Sequence, residues 1–353
     1  MTQTKRIAVI PGDGIGVDVT REATAAISAA ATKHNILLDL DELPYGSEYY
    51  LRTGIGLPRE ERLRIGRDYD GILLGAVGDP RVPDNRTARE IVLGLRFDLD
   101  LYINLRPILL IADGLTSLKG KSVQDIQFVI FRENTEGSYG GIGGQQHAGT
   151  TSEIALGQIV ATWRGTHRII RAAFEYAEKH KLTRVCVVHK QNAIPHVYGL
   201  WLRVFRQVAQ DYPNVEASEM LVDRAAMEII RAPEQFQVIV TSNLFGDILS
   251  DLAAMIAGGL GLAASANINP ETLVLCEPVH GSAPDIAGKG IANPLAACLS
   301  AALLMDNLGF PEAAVTIDNA VRAAIFSGCV TPDLGGTKTT RQVGAFVAET
   351  ISK

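Results

Sequence analysis

The chain has 353 residues, 47% of them hydrophobic and 20% charged, with a net charge of −6. This composition excludes a disordered or fibrous chain, leaves room for two domains or one large one, and argues against nucleic acid as a general partner. Four scattered cysteines (Cys186, Cys276, Cys298, Cys329) form no CxxC and suit reduced usage without disulfides or zinc, and no apolar run reaches membrane-spanning length.

The first residues lead straight into an apolar run with no signal-peptide pattern, so a cytoplasmic protein is expected. Arg6–Ile10 reads as a short strand and Pro11-Gly-Asp-Gly-Ile-Gly16 as a turn. Ile15, Val19, Ala23, Ala26, Ile27 and Ala30 then recur at helical spacing. Asp70–Val77 reads as a buried strand, with others over Ile126–Phe131, Arg184–His189, Phe236–Thr241 and Leu273–Cys276. Helical patterns lie between them, at Thr166–Lys179, Leu200–Asp211 and Arg224–Ile230. Strands alternating with helices predict an α/β architecture with largely parallel sheet. Gly140–Gly149 is too rich in glycine for a packed element and reads as a flexible arm or hairpin tip. No Pro/Ser-rich linker marks a boundary, so two domains would be interleaved rather than strung in series.

Five features carry candidate chemistry. Gly12-Asp-Gly-Ile-Gly16 sits where a dinucleotide loop would, but it is not G-x-G-x-x-G and lacks a clearly placed acidic partner, so a plain tight turn is the stronger reading. Arg96, Arg106 and Arg132 stand beside apolar runs. Singly each is an ordinary ion-pairing residue; converging, they would grip carboxylates. Lys190 ends an apolar strand, where desolvation or neighbouring cations can free a lysine of its proton.

Thr241–Met255 follows a strand and reads as a helix capped by Ser242 or Asn243. Asp247 and Asp251, four apart, share its face, and no basic residue within the segment pairs them. Alone, such a pair is more often solvated. A divalent cation, Mg²⁺ or Mn²⁺ by its oxygen ligands, would relieve the repulsion. Glu277–Pro294 combines glycines, small residues, His280 and Asp285 in a loop. Small residues there would let backbone N–H groups approach a phosphate or an adenine. Asp285 would accept ribose hydroxyls and repel a 2′-phosphate, favouring NAD over NADP.

Together these motifs resemble the β-decarboxylating dehydrogenases, the family of isopropylmalate, isocitrate, homoisocitrate, tartrate and D-malate dehydrogenases. The resemblance runs from Pro11–Gly16 to Thr331-Pro-Asp-Leu-Gly-Gly336. Its most specific pieces are Arg132-Glu-Asn-Thr-Glu-Gly137, Asn243–Asp251 and Glu277–Pro294. It implies an isopropylmalate-dehydrogenase-like fold of two interleaved α/β domains around a central cleft, unlike the ordinary Rossmann fold. Residues 1–101 and 258–353 would form the cofactor side. Residues 102–257 would form the substrate and dimerisation side, with a dimer arm near 138–160. The resemblance further implies that Arg96, Arg106 and Arg132 clamp the malate moiety and that Asp223, Asp247 and Asp251 bind Mg²⁺ or Mn²⁺. Tyr139 and Lys190 would be catalytic. Asn192 would lie near the nicotinamide of NAD, and His280, Gly281, Ser282, Ala283, Asp285 and Asn293 on the adenosine side, with Ile15, Glu277 and Ile286 counted among the cofactor residues. In the family, the counterparts of Lys190 and Asp223 come from the other subunit, which implies a homodimer.

The implied reaction is oxidative decarboxylation of a (2R)-malate-type acid, whose C3 substituent the family reads with the segment Arg86–Arg96. The Ser-x-Asn of isocitrate enzymes is missing, and Leu93 stands where a homoisocitrate enzyme has a basic residue. Val92 and Leu93 would pack an isopropyl group. Arg89 replaces the glutamate of typical isopropylmalate enzymes. Val82-Pro-Asp84, Tyr102–Pro107 and Ser265–Pro270 are closer to tartrate and D-malate enzymes. Isopropylmalate ranks first and D-malate or tartrate second. A non-catalytic regulatory subunit is a remote third, since every expected catalytic position is filled.

Overall fold

The computed structural model describes residues 4–353. Its strands are β1 (Lys5–Gly12), β2 (Leu38–Glu42), β3 (Gly71–Ala76), β4 (Ile103–Leu109), β5 (Gln127–Glu133), β6 (Gly143–Gln146), β7 (Ile154–Gly157), β8 (Arg184–His189), β9 (Glu216–Leu221), β10 (Val238–Thr241), β11 (Ala264–Asn269) and β12 (Leu273–Pro278). The chain divides into two compact units. One holds the chain up to Leu101, Leu109–Val123 and Ala254–Lys353. The other holds Tyr102–Ile108 and Gln124–Ala253.

In the first unit the strand order is β2-β1-β3-β12-β11. All pairings are parallel except β11 with β12. Every residue of β3 is buried, as expected of a parallel strand covered on both faces. The predicted stripe Ile15, Val19, Ala23, Ala26, Ile27 and Ala30 is buried on helix Ile15–Lys33. That helix packs against helices Leu295–Asn307 and Thr340–Ser352. Helix Leu295–Asn307 is apolar nearly all round and is buried between β12 and helices Ile15–Lys33 and Pro311–Phe326.

The second unit has the order β4-β5-β10-β8-β9, with β10 parallel to both β5 and β8 and β8 parallel to β9. Helix Trp163–Lys179 starts at Thr162, whose hydroxyl accepts the Gly165 N–H. Helix Pro195–Ala209 starts earlier than its apolar pattern predicts, because proline is well suited to the first helical position. Phe174 and Phe205 join the two helices with ring centroids 5.4 Å apart. The glycine-rich stretch forms the hairpin β6–β7, all of whose strand residues are exposed. Among the described residues no helix is long and apolar enough to cross a membrane.

Glu22 lies on the buried face of helix Ile15–Lys33 with 7% of its surface exposed. Burial raises its pKa, against the pull of Arg21 and Arg341 and with help from Asp18. The folded state therefore holds this proton more tightly than the unfolded chain. Its contribution to stability is complete below the unfolded value and is lost as pH rises through the folded one. Glu22→Gln removes that loss. Its melting temperature relative to the native protein should climb from about pH 4 to about pH 7, and a difference constant with pH in calorimetric scans would contradict this.

Candidate active site

In the second unit, β4 and β5 each deliver a buried arginine. Arg132, near the end of β5, is 1% exposed and Arg106, on β4, is 5% exposed. Arg132 donates through Nε and Nη2 to Asn243 Oδ1, at 3.0 and 2.7 Å, and through Nη1 to the Asp247 carboxylate. Arg106 donates through Nε to Asn104 Oδ1 at 2.9 Å, and through Nη1 to Ser250 Oγ at 2.8 Å and Asp251 Oδ1 at 3.2 Å. Its Nη2 is 3.6 Å from Asp247 Oδ1. Tyr139 donates its hydroxyl to Asp247 Oδ2 at 2.5 Å, and its ring centroid is 5.1 Å from the Arg132 guanidinium carbon. Helix Asn243–Ile256 thus presents Asp247, Ser250 and Asp251 on one face, as their spacing predicts.

The two capping candidates are used otherwise than expected. The Ser242 hydroxyl pairs with Tyr198 at 2.9 Å, and the Asn243 amide holds Arg132 and donates to the Glu136 carbonyl. The close approach has a steric counterpart, since a methyl on Gly246 would fall 2.6 Å from Cβ and Cγ of Arg132.

Lys190 and Asp223 are brought together because β8 and β9 pair with His189 opposite Leu221. The two side chains emerge at the same strand ends, and Lys190 Nζ donates to Asp223 Oδ1 at 2.5 Å. This hydrogen bond holds the Asp223 carboxyl below its ordinary pKa. Burial pushes the Asp251 carboxyl up, and the Asp247 charge adds to the rise while Arg106 and Arg132 oppose it. Aspartate oxygens suit a hard divalent cation, so the Asp247–Asp251 pair fits Mg²⁺ or Mn²⁺ by donor chemistry. Among the described residues, however, no group of three or more His, Cys, Asp or Glu side chains is placed to hold a metal ion. The third expected ligand, Asp223, is with Lys190. Asn192 is exposed in the turn that follows Lys190.

The first unit carries the remaining candidates. Arg96 is 6% exposed and donates through Nη2 to Glu277 Oε1 at 2.8 Å. Asn267 Nδ2 donates to the same oxygen at 2.9 Å. Glu277 therefore positions Arg96, while Arg96 Nε is buried without a partner. Val92 packs against the core around Leu95 and Ile91, whereas Leu93 is half-buried outside that cluster.

The glycine turn serves packing. The Ile15 N–H donates to the Ser282 carbonyl at 2.8 Å. Gly14 has φ 57°, and a Cβ there would meet the Ser282 oxygen at 2.1 Å. Asp13 accepts from the Ser47 N–H and hydroxyl, both at 2.6 Å, and from the Gly78 N–H at 2.8 Å. Ile15 itself is a core side chain, 5% exposed.

In the loop beyond, Ser282 is buried, Ala283 has φ 37°, Ile286 is half-buried and Gly281 is exposed. The Asp285 carboxylate is exposed and has no hydrogen-bond partner among the described residues. His280 Nδ1 lies 3.0 Å from the Gly281 carbonyl, an acceptor, so Nδ1 carries the proton and Nε2 is left as a buried lone pair with no donor. Burial keeps this imidazole neutral by lowering its pKa. An orphaned acceptor and a free carboxylate in one loop suit a ligand that offers an amino group and hydroxyls, as an adenosine does. Asn293 is less available, since its amide accepts the Leu295 N–H and donates to Asp333.

Sequence reasoning missed Asn104, Ser250 and Asn267 and misassigned Asn243. The alternation Asn104-x-Arg106 on one strand face was the available signal.

The family described as isocitrate/isopropylmalate dehydrogenase matches residues 6–347. The chain is 44% identical to the 3-isopropylmalate dehydrogenase of Thermobifida fusca, over 99% of each chain. It is 41% identical to the tartrate dehydrogenase/decarboxylase of Pseudomonas putida, over 99% of this chain and 98% of that one. The solved isocitrate dehydrogenase of Methylococcus capsulatus matches with a TM-score of 0.90 at 38% identity, covering 99% of this chain and 100% of that chain. The α/β fold is accordingly the isopropylmalate-dehydrogenase-like one, and the chain belongs to the isocitrate/isopropylmalate dehydrogenase family.

Proposed function

We propose that the chain is an NAD-dependent oxidative decarboxylase of (2R)-malate-type acids, with 3-isopropylmalate as its first substrate, acting with Mg²⁺ or Mn²⁺ as a homodimer. The observation that carries this reading is the cluster of Arg106, Arg132, Tyr139, Asp247 and Asp251. Buried guanidiniums demand anionic partners, and here aspartates meet that demand. A substrate carboxylate offers the bidentate match that guanidinium favours. By drawing Arg106 and Arg132 to itself, it would release Asp247 and Asp251 to bind a cation.

Asp247 and Asp251, with Asp223 of a second copy, would hold the divalent cation, which when bound supplies Lewis acidity at the C2 hydroxyl and a sink for the charge left as CO₂ departs. The nicotinamide of NAD supplies the hydride acceptor, with Asp285 at the ribose and His280 at the adenine. Arg96 keeps an unpaired Nε as a donor still available to a carboxylate. Lys190 of the second copy accepts the C2 hydroxyl proton. Tyr139 returns a proton to the carbon that has lost CO₂.

D-malate or tartrate is the second reading. Val92 is engaged in the core, and Arg89 is exposed with no ion-pair partner among the described residues, so a substituent read by this segment would meet less apolar surface and a free cation. The 41% identity to a tartrate dehydrogenase/decarboxylase supports it, while the 44% identity to a 3-isopropylmalate dehydrogenase supports the first.

Comparing kcat/KM for 3-isopropylmalate, D-malate, tartrate and isocitrate, with NAD or NADP and Mg²⁺, separates the readings. A preference for isopropylmalate of about tenfold or more, about 1.4 kcal/mol in the transition state, is expected, with NAD favoured; a win by D-malate or tartrate selects the second. Lys190→Ala should abolish oxidation while leaving the melting temperature unchanged, and near-native turnover would remove the base assignment. Gly246→Ala tests the arginine without altering its charge. Its methyl should displace Arg132, reduce unfolding free energy by about 2 kcal/mol and raise KM about tenfold; unchanged KM would detach Arg132 from substrate binding.

A further inference from the structure

Helical residues run from Arg86 to Asp98, but the turn Arg89–Leu93 within them is π-helical. In an α-helix the Gly94 N–H would bond to the Glu90 carbonyl, four residues back. Here it reaches the Arg89 carbonyl, five back. Such wide turns are rare and occur chiefly as single turns inside α-helices, so the surroundings must hold this one in place.

The holding group is Arg62, on helix Arg59–Asp68. Its Nη1 donates to the Glu90 carbonyl at 3.1 Å and to the Leu57 carbonyl at 2.6 Å. Its Nε donates to Asp98 Oδ2 at 2.6 Å. One largely buried guanidinium therefore ties the π turn, the last turn of the same helical run and the loop at Leu57. The side chain of Glu90 is fixed as well, accepting the Gly56 N–H at 2.5 Å and lying 3.3 Å from Arg86 Nε. The approach is close, since a methyl on Gly94 would come within 2.9 Å of Arg62 Nε and 3.0 Å of its Cδ and Cζ.

We propose that Arg62 is a positioning residue that holds the π turn Arg89–Leu93 in register and thereby sets which C3 substituent the enzyme accepts. The proposal rests on the reading of Leu93 and Arg96 as substrate contacts. Without the clamp, the Gly94 N–H can return to the Glu90 carbonyl and the turn relaxes to α. A one-residue change of register rotates the helix on one side of it by about 100° relative to the other. Arg96 is anchored to Glu277, so the rotation falls on the residues before it, Leu93 among them.

The test uses Arg62→Met, which keeps an unbranched stem without donors, Arg62→Lys, and Gly94→Ala. The alanine pushes the guanidinium away while raising helix propensity, so its effect is not a failure to fold. Hydrogen–deuterium exchange on the peptide covering Arg86–Asp98 is measured beside kcat/KM for 3-isopropylmalate and D-malate. Arg62→Met and Gly94→Ala should change the exchange rate of that peptide, the Gly94 amide above all, and lose selectivity between the two acids by about tenfold, equivalent to about 1.4 kcal/mol. The loss should lie more in KM than in kcat, and Arg62→Lys should recover part of it. Native exchange or native selectivity in both variants overturns the proposal. If the native protein turns over neither acid, the functional reading fails and the selectivity half falls with it. Exchange in that peptide then decides independently whether Arg62 holds the turn.

Discussion

Removing a guanidinium from water is costly unless its donors find oxygen acceptors and its charge finds an anion, and the second unit does this twice within one cluster. Arg106 and Arg132 are almost wholly buried, and the acceptors gathered on them come from separate stretches of chain: Asn104 beside Arg106, Asn243 where the helix begins, Ser250 and the two aspartates along its face. The placement of helix Asn243–Ile256 against the ends of β4 and β5 is what satisfies these arginines. Gly246 permits the approach. The first unit repeats the arrangement on a smaller scale, with Glu277 holding Arg96 and Asn267 holding Glu277.

Several elements were legible because their physics is local. The stripe from Ile15 to Ala30 needed only helical periodicity, and Arg184–His189 was recognisable as a strand from its apolar run. β4 was not, because Asn104, Arg106 and Pro107 interrupt the apolar pattern, and Arg106 is buried with the help of Ser250 and Asp251, far away in sequence. β9 was missed for the opposite reason. Its exposed, acidic residues form the edge of the unit's sheet, where charge discourages pairing with another chain. Within the site, the four-residue spacing of Asp247 and Asp251 correctly indicated a shared face. The cations that meet them lie on other strands, beyond what inspection of the helix segment alone reveals.

The glycine turn after β1 shows how a motif can occupy the expected place and do different work. In a dinucleotide-binding loop, the first helical N–H groups are left for a pyrophosphate. Here Ile15 has given its N–H to the Ser282 carbonyl, and Asp13 gathers Ser47 and Gly78. The turn binds the loop that carries His280 and Asp285 to the start of the first helix. The imperfect fingerprint is therefore the signature of a structural brace.

The interrupted layout of the first unit dictates an order of events during synthesis. β1, β2 and β3 emerge early, yet β3 finds its second neighbour only with β12, and helix Ile15–Lys33 finds its packing partners only with helices Leu295–Asn307 and Thr340–Ser352. Almost all of the other unit is one uninterrupted stretch, Gln124–Ala253, that leaves the ribosome in between. The nascent chain must therefore carry an unfinished apolar sheet while the second unit is made and folds. Contacts so distant in sequence are slow to form and leave sticky surfaces open in the meantime.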